Sequence, residues 1–213
     1  MPALPPPRLD APADEVARTA AAAADWATLA ATARACLACP ELAAARQHVV
    51  VGDVPVTARP LVAFVGEAPG ATEDETGRPF VGRSGALLDQ LLGEAGLDRA
   101  ECAVLNVVKC RPPGNRTPKA AEVARCSGWL HRQLELLDPP AIVALGLSAA
   151  KWFLGPRTVL GRAREVGAHP WRGRAVYVTY HPSAAIRFGP NGAPRAALAA
   201  DLRQVAAVVG RRP

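Results

Sequence analysis

The chain has almost no lysine, few aromatic residues and no long apolar run, and each shortage narrows what it is. Its basic charge rests on arginine, which together with heavy use of alanine and proline marks a GC-rich genome rather than a function. A bilayer span needs about 20 consecutive apolar residues, and no stretch supplies them, so no membrane partner is expected. The start, Met1-Pro-Ala-Leu-Pro-Pro-Pro-Arg8, lacks the basic residues and apolar run of a secretory signal, and a cytoplasmic location is expected. Gly66-Glu-Ala-Pro-Gly70 has neither GxGxxG spacing nor a Gly-Lys-Ser/Thr ending, so dinucleotide and nucleoside-triphosphate binding are unsupported. Gly146-Leu-Ser148 lacks the second glycine of a hydrolase nucleophile turn, and Ser148 reads as a helix start.

What is present is ordinary globular composition. The 213 residues, 50% hydrophobic and 21% charged, suffice for one full-sized domain with a substantial core. The net charge of +6 is a mild signal for a polyanionic partner, because basic side chains displace counterions from phosphates. Five cysteines point to metal or cluster chemistry before disulfides. Residues 1–13 are proline-rich with little to bury and are expected to be a disordered arm, with the domain over 14–213. A helix is expected from Asp14 to Ala35, then a short strand from His48 to Val51. The apolar runs Leu61–Val65, Ala103–Val108 and Ala141–Leu145 read as strands buried on both faces, joined by another over Ala175–Thr179. Helices are expected from Ser84 to Ala95, from Thr117-Pro118 to Leu137, from Ser148 to Leu154 and from Arg195 to Val209. Such alternation predicts the α/β class: a single-domain three-layer α/β/α sandwich with a central, mostly parallel twisted sheet.

Ligands of open α/β sheets gather outside the carboxyl ends of the strands. Glu67, Asn106 and His181 each stand at such an end. A buried amide left unpaired costs ~1–3 kcal/mol, so Asn106 either braces a loop or aims into a ligand cleft. A lone histidine is more often structural than catalytic, but at the same rim as Glu67 and Asn106, His181 reads as a hydrogen-bond donor. His48, His131 and His169 lack such company. Phe80, one of only four phenylalanines, lies in a polar, glycine-bounded loop and reads as a lid over a flat ligand, or else as a core plug. Arg111, Arg116 and Lys119 flank the Cys110 loop, and Arg187 follows the His181 turn. Singly they are solvated charges; together they are expected to track a phosphate backbone. Cys36 and Cys39 form a C-x2-C pair, while Cys110 and Cys126 have fifteen residues between them. Zinc, an iron–sulfur cluster and a set of buried reduced thiols all remain open, although the wide second pair disfavours a zinc ribbon. Cys102 reads as a core residue.

Taken together, Gly66-Glu-Ala-Pro-Gly70, the Glu73-to-Gly82 segment with Phe80, Asn106-Val-Val-Lys-Cys110-Arg-Pro-Pro and His181-Pro-Ser183 resemble the family 4 uracil-DNA glycosylases. These are the iron–sulfur branch of their superfamily, and the resemblance runs from about Cys36 to about Leu202. It implies a structural 4Fe-4S cluster on Cys36, Cys39, Cys110 and Cys126. The implied partner is DNA containing uracil, double- or single-stranded, met by a monomer associated with the nucleoid. The deoxyuridine would flip out of the stack, with Phe80 against its ring, Asn106 on its N3–H and O4 edge, and the backbone of Gly66, Ala68 and Gly70 lining the pocket. His181 would stabilise charge on O2, and Glu67 or Glu73 would handle the water, with Glu67 favoured. The wider superfamily often has an aspartate one place after the glutamate position, where Ala68 stands here. Ser183 and Arg187, with the loop cations Arg111, Arg116 and Lys119, would meet the DNA. A related branch crosslinks to uracil-DNA through a loop histidine; this loop has none and Ala68 replaces that branch's usual glutamine, so turnover is expected. The competing readings are a cluster-containing damage-binding protein without turnover and a zinc-stabilised protein with no DNA role.

Overall fold

Four of the five runs expected as strands form them. The computed structural model describes residues 4–210. In chain order its main elements are α1 (Ala13–Ala21), α2 (Trp26–Arg34), α3 (Pro40–Ala45), β1 (Ala63–Gly66), α4 (Ala71–Thr76), α5 (Arg83–Glu94), β2 (Ala103–Asn106) and α6 (Ala120–Leu137). They continue with β3 (Ala141–Leu145), α7 (Leu147–Leu154), α8 (Leu160–Val166), β4 (Ala168–Trp171), β5 (Arg174–Thr179), α9 (Pro182–Phe188) and α10 (Ala193–Val209). The strands form one mixed sheet in the order β2-β1-β3-β5-β4, as the α/β expectation requires. β1, β3 and β5 run parallel, with Phe64 beside Val143 and Val143 beside Tyr177, while β4 pairs antiparallel with β5. Among the described residues no helix is long and apolar enough to cross a membrane.

The chain divides into two compact units. One comprises the described residues up to Asp53 together with Ala68–Pro79 and Leu105–Asp138; the other comprises Val54–Glu67, Phe80–Val104 and the described residues from Pro139 on. In this second unit Val62, Phe64, Val104, Val143, Leu145 and Tyr177 share a core with Leu88, Leu91 and Leu92 of α5, Ala185 of α9 and Leu198, Leu202 and Val205 of α10. The alternate strand residues, Ala63, Val65, Ile142, Ala144, Val176 and Val178, are also buried. Burial on both faces is what an unbroken apolar run demands. α7 and α8 pack on the strands as well, and their buried residues Ala149, Ala150, Phe153 and Ala163 lie outside that first cluster.

In the first unit α1 and α2 pack on α6. A Cβ at Gly128 would lie 2.7 Å from the Ala17 Cα, so glycine is what lets α1 and α6 approach. Several expectations are corrected here. The helix over Asp14–Ala35 is two helices, because Asp25 caps α2, its Oδ1 accepting from the Thr28 N–H at 2.7 Å. Of the proline-rich segment expected to be disordered, residues 1–3 lie outside the described residues, while Pro7 and Ala11 are buried and the Pro7 carbonyl accepts from the Leu37 N–H at 2.9 Å. Residues His48 to Val51 form no strand: Val50 N–H bonds the Lys109 carbonyl at 2.7 Å, and no ladder follows. In the second unit Gly82, not Ser84, caps α5. β4 was not foreseen because Pro170 breaks its pattern; as the outermost strand it tolerates the missing donor.

Candidate active-site residues and cysteine cavity

In the second unit the carboxyl ends of three parallel strands carry polar side chains. β1 delivers Glu67, β3 turns through Gly146 into α7, and β5 leads to His181. Gly146 has φ +88°, and a Cβ there would fall 2.9 Å from the His181 Cβ, so this turn requires glycine. The turn places Ser148 in the first turn of α7, where its hydroxyl donates a short hydrogen bond to Glu67 Oε2. Ser148 does start a helix, as its sequence context suggests, but nothing local could reveal a carboxylate partner 81 residues away.

His181 caps α9: its Nδ1 accepts from the Ser183 N–H at 3.1 Å and lies 2.8 Å from the Ser183 hydroxyl oxygen. An amide only donates, so Nδ1 is the unprotonated nitrogen and a neutral ring carries its proton on Nε2. Phe80 stands beside it, with ring centroids 5.6 Å apart and planes tilted by 39°. Phe80 is 6% exposed and has φ +51°, a conformation costing about 1–3 kcal/mol for a bulky residue. Its carbonyl accepts from Arg99 Nη1 at 3.0 Å. A Cβ at Gly85 would meet that carbonyl oxygen at 1.8 Å, so α5 can back the Phe80 loop only through a glycine. Ser183 and Arg187 are exposed on α9.

The first unit holds the remaining candidates. Ala68 and Gly70 precede α4, and the Gly70 N–H donates to Glu73 Oε2 at 3.1 Å. Glu73 therefore caps its own helix. Its neighbour Asp74 is 1% exposed and its carboxylate accepts from the N–H groups of Gln47 and His48 at 3.0 and 3.1 Å, while His48 Nδ1 lies 2.6 Å from the Asp74 carbonyl. That knot joins two segments whose spacing gives no hint of it. Asn106 ends β2, is 2% exposed, and its Oδ1 has no hydrogen-bond partner.

Cys36, Cys39, Cys110 and Cys126 line one cavity with Leu42, Arg46, Lys109, Arg125 and Trp129. All five cysteines of the chain are free, and Cys102 belongs to the core of the second unit, as expected. Burial pushes the Cys39 thiol up to about 11 and Cys110 to about 12, and raises Cys126 as well. Hydrogen-bond donors face these sulfurs. Arg46 Nη1 lies 3.3 Å from Cys110 Sγ, and the Lys109 N–H donates to Cys126 Sγ at 3.3 Å. The Lys109 ammonium is itself buried, and burial pulls it down to about 8 against the attraction of Cys126 and Cys110. Among the described residues no three His, Cys, Asp or Glu side chains gather as ligands of a single ion.

Two expected phosphate contacts are already engaged. Arg116 forks onto Glu122 at 2.7 and 2.9 Å and reaches Glu41 at 3.1 Å, and Lys119 pairs with Glu41. Arg111 Nε donates to Asn115 Oδ1 at 2.7 Å.

Comparison with known proteins adds independent findings. The uracil DNA glycosylase superfamily matches residues 52–203. A type-4 uracil-DNA glycosylase of Thermotoga maritima is 45% identical over 157 residues, covering 73% of this chain and 80% of that protein. The type-4 uracil-DNA glycosylase of Pyrobaculum aerophilum is 45% identical over 136 residues, 59% of this chain and 68% of the relative. A type-5 uracil-DNA glycosylase of Thermus thermophilus is 34% identical over 190 residues, 71% of this chain and 84% of the relative.

Proposed function

The chain belongs to the uracil DNA glycosylase superfamily, on its type-4 side, and from that membership we propose that it is a DNA-repair glycosylase that hydrolyses uracil from DNA. The observation that carries this reading is the carboxamide of Asn106, whose oxygen is buried without a partner. Leaving such an acceptor unmet costs about 1–3 kcal/mol, and the N3–H of a uracil turned out of the stack satisfies it. The amide nitrogen then donates to O4. Cytosine presents an amino donor and a bare N3 instead, so it leaves the amide mispaired, and sites built on such bonds discriminate by ~10⁴–10⁵. Thymine is excluded by backbone close to C5.

Phe80 stacks on the ring, and its enforced conformation and its packing near His181 hold it ready. His181 donates its Nε2 proton in a hydrogen bond to O2 as the N1–C1′ bond breaks and charge gathers on the base. Glu67, oriented by the Ser148 hydroxyl, accepts a proton from the water whose oxygen bonds to C1′. Uracil leaves with its bonding electron pair, and the sugar keeps the hydroxyl as an abasic site. Glu73, engaged as a cap, supports the loop rather than the water. The protein acts as a monomer on nucleoid DNA, with Arg111, Ser183 and Arg187 near phosphates.

The donor set in the first unit fits a cluster. Four unbridged thiols on one cavity, two buried and two half-buried, with Arg46, Lys109 and Arg125 beside them, suit an anionic 4Fe-4S group, which takes four cysteines. Cys36, Cys39, Cys110 and Cys126 would hold it. When bound it supplies structural cross-linking of the N-terminal segment, the Cys110 loop and α6, and no bond-making step passes through it. Incubating iron-loaded protein with a uracil-containing oligonucleotide and then alkali should cut the strand at uracil. Uncut strands overturn the reading, and a stable uracil-specific complex without base release points to a damage-binding protein instead.

A further inference from the structure

Lys109 lies between the two chemistries of the first unit. Its side chain is buried, its Nζ donates to the Asn106 carbonyl at 2.6 Å, and it lines the cysteine cavity beside Cys110 and Cys126. Among the described residues it forms no ion pair with a carboxylate. A buried ammonium with no counter-charge is costly, and one neutral carbonyl does not offset the loss of water. Four cysteine thiolates around an iron–sulfur core supply the missing negative charge. The backbone N–H of Lys109 already points at Cys126 Sγ, so this residue addresses the sulfurs through its main chain and Asn106 through its side chain.

We propose that Lys109 is a positioning residue that ties the charge of the cysteine-bound cluster to the base-reading amide. The cluster holds the ammonium in place, and the ammonium fixes the Asn106 carbonyl and with it the end of β2 from which the carboxamide projects. The inference rests on the reading of Asn106 given above and of the cysteines as cluster ligands. It assigns the cluster a part in base recognition without any electron or proton passing through it. Arg46 and Arg125 share the cavity, but Arg46 bonds the Cys36 carbonyl and the Cys110 sulfur and Arg125 pairs with Asp10, so among the described residues it is Lys109 that makes the link.

Two substitutions separate the parts of the idea. Lys109→Met removes both charge and hydrogen bond at similar volume, and Lys109→Gln removes the charge but keeps a donor. Three quantities are read on each variant: iron and sulfide content, the cluster's reduction potential by film voltammetry, and binding of free uracil by calorimetry. Loss of a positive charge disfavours the more negative reduced cluster. Both variants should therefore show a potential lower by about 59 mV or more, tenfold in a one-electron equilibrium. Uracil affinity should fall about tenfold in Lys109→Met and recover at least half of that loss, on a logarithmic scale, in Lys109→Gln. An unshifted potential in either variant overturns the link to the cluster. Equal uracil affinity in wild type and Lys109→Met overturns the link to Asn106. Asn106→Ala serves as the reference: if it binds uracil like the wild type, the edge-reading role itself has failed, and that outcome is distinct from failure at Lys109.

Discussion

At the scale of single side chains, the chemistry depends on groups held in one state by one neighbour. In the proposed role Asn106 offers uracil an acceptor and a donor, and replacing the donor with an acceptor should relax the rejection of cytosine. Asn106→Asp is expected to excise cytosine measurably while losing part of its uracil activity. Competition between uracil- and cytosine-containing oligonucleotides reads this out, and unchanged selectivity would show that another group reads the edge. Glu67 depends on Ser148 in the same way. A hydrogen bond to a charged group is worth about 1.5–3 kcal/mol, so Ser148→Ala should lower kcat by about tenfold or more with little change in KM. Ser148→Thr retains the hydroxyl and should recover most of the rate. If serine and alanine turn over alike, the short contact to Glu67 is only structural.

At the scale of elements, the start of α6 is an electrostatic clamp on α3. Glu122 caps α6 through the Lys119 N–H at 2.7 Å and receives the Arg116 fork, which also reaches Glu41 on α3. The Arg116 guanidinium holds the Glu122 carboxyl below its ordinary value of 4.5, against the opposing effect of burial. A carboxylate lowered in the folded state contributes stability that is complete above its unfolded pKa and lost as pH falls through its folded pKa. Thermal stability should therefore decline below about pH 4.5, and the decline should be shallower in Glu122→Gln, whose Tm at neutral pH should also be lower. Parallel melting curves for the two proteins from pH 6 to pH 3 would remove Glu122 from the account. The clamp joins the segments that carry Cys39, Cys110 and Cys126, so ion pairs bring these together.

At the scale of the molecule, a net charge of +6 is spread unevenly between engaged and available cations. Binding to duplex DNA should weaken with salt, by a slope of about 0.9 in the logarithms for each phosphate met. Arg187 and Arg111 are expected to contribute to that slope, so alanine at either lowers it by about one. Arg116→Ala should leave the slope nearly unchanged and lower the melting temperature, because its charge is already met by Glu122 and Glu41. Fluorescence anisotropy from low to high salt distinguishes the two kinds of arginine, and an equal loss of slope in Arg116→Ala would return it to the DNA-facing set.

Much was legible in advance because it is local. An unbroken apolar run buries both faces wherever it lies, so β1, β2, β3 and β5 followed from composition. Glycine and proline punctuated the turns, and the motifs around Glu67, Phe80, Asn106 and His181 marked the candidate groups. The amino-acid sequence by itself determined the sheet, the candidate residues and the cysteine set. What tertiary structure alone decided is which polar group meets which. Ser148 finds Glu67, Glu73 turns back on Gly70, Asp74 gathers Gln47 and His48, and Arg116 is claimed by Glu122 and Glu41. Hydrophobic burial depends on a residue's own pattern, whereas a hydrogen bond or ion pair needs two groups within about 3 Å. For partners far apart in the chain, only the folded backbone sets that distance.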